Sequence, residues 1–240
     1  PAVMENGLVS PTLEGTPQGA PLSPWWSNIV LDERDQERER RGHAFVRYAD
    51  DGNLYVRREK SGTRVMASVS DFLTRRLKLK GQESKNAGDR PSRRKFLGLT
   101  IAEGEMPPRR IAPQALKRFR EKVRERTRRT RSSAAKRMVS ELTIYLRGWI
   151  GYFGFCETPW ELRDLDGWIR RRRRAVAWKH WKRGRTRYRE LVRRGVPQET
   201  AIHAPWWYKN PWHASRTVAL HRALPNVLWD RLGLLRLHAP

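Results

Sequence analysis

The chain has 240 residues, of which 38% are hydrophobic, and 51 lysine and arginine residues against 25 acidic residues give it a formal net charge of +26. A charge of this size indicates a polyanionic partner, with nucleic acid favoured over an anionic membrane surface. No apolar run approaches the roughly 20 residues that cross a bilayer, and the single cysteine, Cys156, excludes a disulfide framework and a cysteine-based zinc site within the chain.

The charge is unevenly distributed along the chain. Residues 1–60 contain 8 basic and 10 acidic residues, whereas residues 161–194 contain 14 basic and 4 acidic residues. The first part therefore offers acidic groups, and the later part offers a surface that can neutralise phosphates. Together with the absence of a membrane-spanning run, this division predicts a soluble, cytoplasmic protein that associates with nucleic acid.

Helices and strands alternate in the front section. Ser23-Pro24 predicts the N-cap and first position of a helix that ends at Gly42, with only its first turns buried because its second half is almost entirely charged. Residues 45–56, FVRYADDGNLYV, predict two short strands joined at the break Asp50-Asp51-Gly52-Asn53. Apolar residues at helical spacing predict a further helix over residues 63–80.

A strand over residues 95–101, KFLGLTI, closes the front section, and the remainder is predicted to be helical. Apolar spacing predicts helices over residues 113–131 and 136–155. Thr158-Pro159-Trp160-Glu161 reads as a capping box that starts another helix. Residues 205–213, PWWYKNPWH, predict an aromatic loop before a Leu-rich end.

The acidic pair Asp50-Asp51 has two interpretations. An Asp-Gly step favours a tight turn by itself. Two carboxylates fixed between stiff strands can also hold Mg²⁺, which prefers oxygen ligands. No second apolar run with a central Asp is found nearby, and Asp32 and Asp35 are interpreted as part of a solvated helix face.

Four motifs in order decide between these interpretations: TPQGAPLSP (16–24), YADD (48–51), KFLGLTI (95–101) and LRGWIGYF (146–153) with the basic stretch 166–188. Together they resemble the later motifs of group II intron reverse transcriptases and their maturase-specific region, often called domain X. The resemblance covers essentially the whole chain. It implies an α+β fold, in which a partial right-hand polymerase palm of hairpin and helices precedes an all-helical thumb and maturase domain.

The resemblance also implies boundaries and partners. Residues 1–105 would be the palm, 106–140 the thumb and 141–240 domain X. The partners would be group II intron RNA, an RNA template with its DNA primer, and deoxynucleoside triphosphates, with Mg²⁺ as the cofactor. The family's first metal-binding Asp and its fingers residues lie upstream of the motifs present, so we expect the two-metal site to be incomplete in this chain.

Roles for individual residues follow from the same resemblance. Asp50 and Asp51 would be the catalytic, metal-binding acids. The primer grip would comprise Phe96, Leu97 and Gly98. The residues that would contact the incoming nucleotide and the template are Gln18, Gly19, Tyr48, Ala49 and Lys85. Gln82 and Asn86 stand beside Lys85 where the family has Asn and Ser.

Basic residues of the maturase region are the candidates for RNA binding. They are Arg170, Arg171, Arg173, Arg174, Lys179, Lys182, Arg183, Arg185 and Arg187. The run 170–174 cannot face one way on a helix, so we expect one or two of its members to be solvated or paired and the others to reach phosphates.

The aromatic residues divide into two groups. Trp149, Tyr152 and Phe153 are interpreted as core. For the three tryptophans of segment 205–213, packing and stacking on unpaired bases stay about equally open.

The predicted function is RNA-directed DNA synthesis together with intron RNA binding that assists splicing. The alternative is a non-enzymatic splicing factor that retains the acidic hairpin as a structural relic. A generic nucleic-acid packaging protein fits less well, because it would not need an acidic front section with an ordered hairpin.

Overall fold

A computed structural model of the chain describes residues 2–5, 8–11, 21–79, 88–104, 106–128, 135–207 and 210–238. The chain divides into two compact units, Pro1–Phe96 and Leu97–Pro240. Helices predominate, and the strands form antiparallel two-stranded pairs. The mixed character agrees with the α+β class expected from the sequence.

Strand pairs and long helices alternate in the first unit. Its elements in chain order are β1 (Ala2–Glu5), β2 (Leu8–Pro11), α1 (Ser23–Arg40), β3 (Ala44–Tyr48), β4 (Asp51–Tyr55) and α2 (Glu59–Arg75). β1 pairs with β2, and β3 pairs with β4. Helix α1 is followed by Gly42 at φ +66°, whose amide donates to the Glu39 carbonyl, so the predicted stop at this glycine is confirmed.

The turn of the β3–β4 hairpin lies earlier than the sequence indicates. Tyr48 pairs with Asp51 and Arg47 with Gly52, so the connecting residues are Ala49 and Asp50. Asp51, Gly52 and Asn53, which were expected in the break, are strand residues. The strain of this two-residue connection falls on Ala49, whose φ is +52°, a region that L-residues rarely adopt.

The burial of α1 is the reverse of the expectation. Trp25 and Trp26 in its first turn are 64% and 52% exposed, whereas Leu31, Arg34 and Arg38 are buried. Ser23 is the first helical residue rather than the cap, and the N-cap position is occupied by Leu22. The prediction was wrong because it excluded charged residues from the interior, where arginines can be buried if other charges surround them.

Helix α2 begins four residues earlier than predicted and ends earlier too. Its apolar face, including Val65, Val69 and Phe72, is half-buried rather than enclosed. The strand expected over residues 95–101 is also shorter, because Leu97 and Gly98 form a turn with positive φ values of 52° and 76°. Two consecutive left-handed residues cannot belong to a regular strand.

Helices form most of the second unit. Its elements are β5 (Leu99–Ile101), β6 (Arg109–Ile111), α3 (Pro113–Arg126), α4 (Ala135–Phe153), α5 (Pro159–His180), α6 (Gly184–Arg193), α7 (Gln198–Trp207), α8 (Pro211–Ala214), α9 (Val218–Ala223) and α10 (Asn226–Arg231). β5 pairs with β6. Segment 205–213 was predicted as a loop, but α7 includes its start and α8 its end.

Aromatic packing between α3 and α4 forms one part of the core. The ring of Phe119 lies 4.3 Å from that of Trp149 and 5.8 Å from that of Tyr145, and Trp149 lies 4.9 Å from Phe153. These contacts confirm the core interpretation for Trp149 and Phe153. Tyr152 remains 47% exposed and donates its hydroxyl proton to the Leu97 carbonyl at 2.9 Å.

Helix α5 starts where the capping motif predicts it, with Pro159 as its first residue. The Thr158 hydroxyl, however, bonds the Glu161 carboxylate at 3.0 Å instead of a backbone amide. Glu161 also accepts from Arg110 of β6 at 2.5 Å. The motif therefore links the start of α5 to the β5–β6 pair as well as marking the helix start.

Candidate functional site

The predicted catalytic acids lie at the end of the β3–β4 hairpin. Asp50 occupies the turn and Asp51 is the first residue of β4. Both residues are exposed, and no hydrogen bond or ion pair joins either carboxylate to another described residue. Tyr48, opposite Asp51, is 64% exposed. The hairpin thus presents two adjacent carboxylates and an aromatic ring to solvent.

This arrangement fits part of a Mg²⁺ site. Mg²⁺ is usually held by one or two carboxylates, with water and substrate phosphates completing the shell. Asp50 and Asp51 can supply two such carboxylates. Within the described ranges, no cluster of three or more His, Cys, Asp or Glu side chains is suited to a metal ion. Among the described residues, the protein therefore offers Mg²⁺ two ligands, Asp50 and Asp51, at the hairpin.

Behind the hairpin, α1 and β3 are joined by a charged network that sequence reasoning missed. Arg47 of β3 donates from Nε to the Asp35 carboxylate, and from Nη1 to Asn28 Oδ1 at 2.9 Å and to the Ala49 carbonyl at 3.0 Å. The Asp35 side chain is only 14% exposed. The interpretation of Asp35 as a solvated residue is wrong, because Arg47 reaches it from the neighbouring strand.

Two further arginines surround Asp35. Arg34 Nε and Arg38 Nη1 lie 3.7 and 3.8 Å from Asp35 Oδ1, and both residues are more than 90% buried. A Cβ added to Gly52 would lie 3.5 Å from Arg38 Nη1 and 3.6 Å from Arg34 Nη2, so both guanidinium groups pack against the strand backbone. Burial, and then the charge of Arg34, lower the pKa of Arg38 to about 10, which leaves it charged at neutral pH.

Three residues predicted to contact nucleotide or template, Gln18, Gly19 and Lys85, lie outside the described residues. The other two, Tyr48 and Ala49, directly precede the acidic pair. Their predicted contacts with nucleotide and template stay predictions.

The predicted primer grip is a turn rather than part of a strand. Phe96 ends the first unit and Leu97 begins the second. The Gly98 carbonyl accepts a hydrogen bond from the Ala112 amide at 2.9 Å. A Cβ at Gly98 would lie 3.2 Å from Phe153, and its φ is +76°, so both the space and the conformation favour glycine.

An open pocket of about 340 Å³ lies beside this turn within the second unit. It is lined by Leu97, Gly98, Ala115, Arg118, Phe119, Tyr145, Trp149 and Phe153. The turn and the aromatic core of α3 and α4 thus form one continuous surface. Apart from Arg118, all of these lining residues are uncharged.

Three of the arginines predicted to bind RNA are buried. Arg170, Arg173 and Arg174 are each 3% exposed. Arg174 donates to the Leu224 carbonyl at 2.9 Å and to Asn226 Oδ1 at 2.7 Å. Arg173 donates to the Ala135 carbonyl at 3.1 Å and lies over the Trp229 ring. A phosphate could reach these groups only if bonds inside the protein opened.

Two other arginines of the predicted set are also engaged with the protein. Arg171 lies 3.8 Å from the Trp212 ring centroid and donates to the Trp212 carbonyl. Arg187 lies over Trp178 and donates to the Trp181 carbonyl at 3.0 Å. For Trp212, this contact favours packing over base stacking. The side chains of Trp206 and Trp207 lie outside the described part of the chain.

Replacing Arg170 by alanine is expected to destabilise the second unit by about 3 kcal/mol. Arg170 Nε donates to Asp166 at 2.6 Å, and Nη2 forms an ion pair with Asp230 at 2.9 Å. Breaking a buried pair leaves its partner uncompensated, and the lower end of the usual cost applies because both aspartates keep some contact with water. Urea unfolding would measure the loss. The exposed Lys179 of the same helix provides the matched alanine control, and an equal loss in both variants would contradict the structural role.

Four predicted RNA-binding residues remain available on the surface. Lys179, Lys182, Arg183 and Arg185 are exposed, and none forms an ion pair within the part of the chain that the structure describes. The predicted RNA-binding set left out other exposed basic residues, although their helical spacing in the sequence could have indicated a role. These residues are Lys117, Arg118, Arg120 and Arg124 of α3 and Arg189 of α6. In the described residues, no helix has the length and apolar character needed to span a membrane.

Two family models match the chain. Residues 3–101, which include the acidic hairpin, match the reverse transcriptase (RNA-dependent DNA polymerase) family. Residues 116–195, from α3 to the end of α6, match the maturase-specific domain of group II introns. No curated protein sequence matches the chain.

The first match defines a protein of the reverse transcriptase class. The second is specific to proteins of group II introns, and the two follow one another in a single chain. The chain therefore belongs to the group II intron reverse transcriptases/maturases, which function in intron splicing and mobility. Neither match favours the alternative of a non-enzymatic splicing factor.

Proposed function

We propose that this chain takes part directly in Mg²⁺-dependent copying of RNA into DNA and binds its intron RNA through the second unit. The observation that carries the proposal is the exposed Asp50-Asp51 pair at the end of an ordered hairpin, within the region that matches reverse transcriptases. Residues 1–105 would act as palm, 106–140 as thumb and 141–240 as domain X. The structure supports these roles through a mixed front section and a helical remainder.

The acidic pair would hold the metal. Asp50 and Asp51 are adjacent and exposed residues, and their carboxylates would turn toward a common point outside the hairpin. Mg²⁺ bound there would favour attack by a primer hydroxyl and stabilise the leaving pyrophosphate. The exposed Tyr48 and the strained Ala49 would face the incoming nucleotide, and Gln18, Gly19 and Lys85 would complete its contacts.

The primer would be positioned by the turn that follows Phe96. Leu97 and Gly98 are held by Tyr152 of α4 and by the Ala112 amide, so the turn has a fixed backbone. A fixed backbone is suited to orienting a primer end, because small displacements of reacting groups cost large factors in rate. The adjoining aromatic pocket would support one side of this turn.

Intron RNA would be bound by the exposed basic residues of the second unit. Lys179, Lys182, Arg183 and Arg185 lie at the end of α5 and around the start of α6, and none of the described acidic residues forms an ion pair with them. The buried arginines 170, 173 and 174 would act indirectly, by holding α5 to the start of α4 and to the C-terminal segment. Arg171 and Arg187 would act mainly through their aromatic contacts.

Primer extension tests the proposed activity. The purified chain would be incubated with an RNA template, a labelled DNA primer and all four deoxynucleoside triphosphates, with Mg²⁺, with Ca²⁺ or with excess chelator. Two carboxylates, together with water and substrate phosphates, can complete a Mg²⁺ shell even without the family's first metal-binding Asp, so we expect extension with Mg²⁺. We expect none with chelator or with Ca²⁺, which accepts a looser geometry than Mg²⁺. Lack of extension under all conditions, combined with tight intron RNA binding, would contradict the polymerase proposal and favour splicing assistance by itself.

A further inference from the structure

Arg47 connects α1 with the turn that carries the acidic pair. Its guanidinium donates to two groups on α1, Asn28 Oδ1 and the Asp35 carboxylate, and to the Ala49 carbonyl in the turn. Its side chain is 19% exposed. A single side chain therefore links the helix to the backbone directly before Asp50.

The bonded carbonyl belongs to the strained residue of the hairpin. Ala49 has φ +52°, a left-handed conformation that is unfavourable for an L-residue. A hydrogen bond from a charged donor is stronger than one between neutral groups, so the bond from Arg47 to the Ala49 carbonyl offsets that strain. The Arg47 bond thus favours the two-residue turn of Ala49 and Asp50, which places Asp51 at the start of β4.

The anchor of Arg47 on α1 is itself fixed. Arg47 contacts Oδ2 of Asp35, while Arg34 and Arg38 flank Oδ1 at 3.7 and 3.8 Å. The carboxylate is therefore held between three guanidinium groups and cannot rotate freely. Because Gly52 packs against Arg34 and Arg38, the same cluster also contacts the strand that begins with Asp51.

We propose that Arg47, held by Asn28 and Asp35, is a positioning residue that sets the turn geometry required for metal binding by Asp50 and Asp51. The inference rests on the proposed function of the acidic pair. Residues that orient metal ligands without touching the metal typically contribute 10–100-fold to metal affinity. Only arginine offers a planar fork that can reach a carboxylate, an amide oxygen and a carbonyl together.

Binding of Mn²⁺, followed by the electron paramagnetic resonance signal of the free ion, tests the inference without requiring catalysis. Arg47→Ala is expected to weaken Mn²⁺ binding about tenfold. Asn28→Ala, at an exposed helix position, removes one anchor of Arg47 without a change in charge and is expected to weaken binding by a smaller factor. Arg57→Ala is the matched control, because this exposed residue after β4 carries the same charge.

Each result has a defined meaning. Wild-type affinity in both Arg47→Ala and Asn28→Ala would overturn the inference, and Asn28→Ala decides alone if circular dichroism shows that Arg47→Ala is unfolded. Full affinity in Arg47→Lys would also overturn it, since lysine keeps the charge but not the three bonds. Unchanged Mn²⁺ binding in Asp51→Asn would contradict the metal site of the proposed function itself, which separates the two failures.

Discussion

Replacement of Asp51 by asparagine is expected to lower the rate of primer extension by at least about a thousandfold. Charge stabilisation by a bound metal contributes several kcal/mol to such reactions, and about 4 kcal/mol corresponds to roughly three orders of magnitude. Asparagine keeps the size of the side chain but removes the negative charge. Because Asp51 is exposed and its carboxylate forms no hydrogen bond or ion pair with another described residue, its replacement should change the free energy of unfolding by no more than about 0.5 kcal/mol.

Single-turnover primer extension with saturating primer and template would measure this effect. Asp164→Asn provides the control, since Asp164 is an exposed carboxylate on α5 with no role in the proposed site. Asp50→Asn should show a loss of the same order if the two carboxylates act together. Extension by Asp51→Asn at the rate of the control would exclude Asp51 as a catalytic residue.

Intron RNA affinity is expected to fall roughly a thousandfold between 50 and 200 mM monovalent salt. Neutralising about six phosphates releases the condensed counterions, and added salt opposes that release. The net charge of +26 and the exposed basic residues of α3, α5 and α6 supply more than enough groups for this effect. A nearly flat response to salt would contradict the electrostatic account.

The salt response also tests which residues contact the RNA. A fourfold glutamine variant at Lys179, Lys182, Arg183 and Arg185 should reduce the slope of log affinity against log salt by roughly 3 to 3.5, which corresponds to about 0.7–0.9 for each of four lost phosphate contacts. The matched control replaces four exposed basic residues of the first unit, Arg57, Arg58, Lys60 and Arg64. Equal slopes in the two variants would show that the α5–α6 surface does not contact the intron RNA.

Local patterns in the sequence determined the elements and the family. Apolar spacing placed α3 and α4, and the aromatic pattern identified Trp149 and Phe153 as residues that pack in the core. The glycine at position 42 and the proline at position 159 marked a helix end and a helix start. These predictions succeeded because helix periodicity and termini depend on residues within one or two turns of each other. The four motifs also indicated the family from the sequence, because each motif is a short stretch of consecutive residues.

Only the tertiary structure decided which charged residues are buried. Arg174 bonds residues 224 and 226, some fifty positions away, and Arg47 reaches Asp35 on another element. In the sequence, Arg174 belongs to a basic run and Asp35 belongs to a charged helix. Both patterns are typical of solvated surfaces. Whether an arginine stays in water depends on what packs against it from distant parts of the chain, because a buried guanidinium is tolerated only where other groups satisfy its charge and its donors. Packing from distant parts of the chain therefore distinguishes the buried arginines 170, 173 and 174 from their exposed neighbours. It also brings Arg47 against Asp35, behind the acidic hairpin.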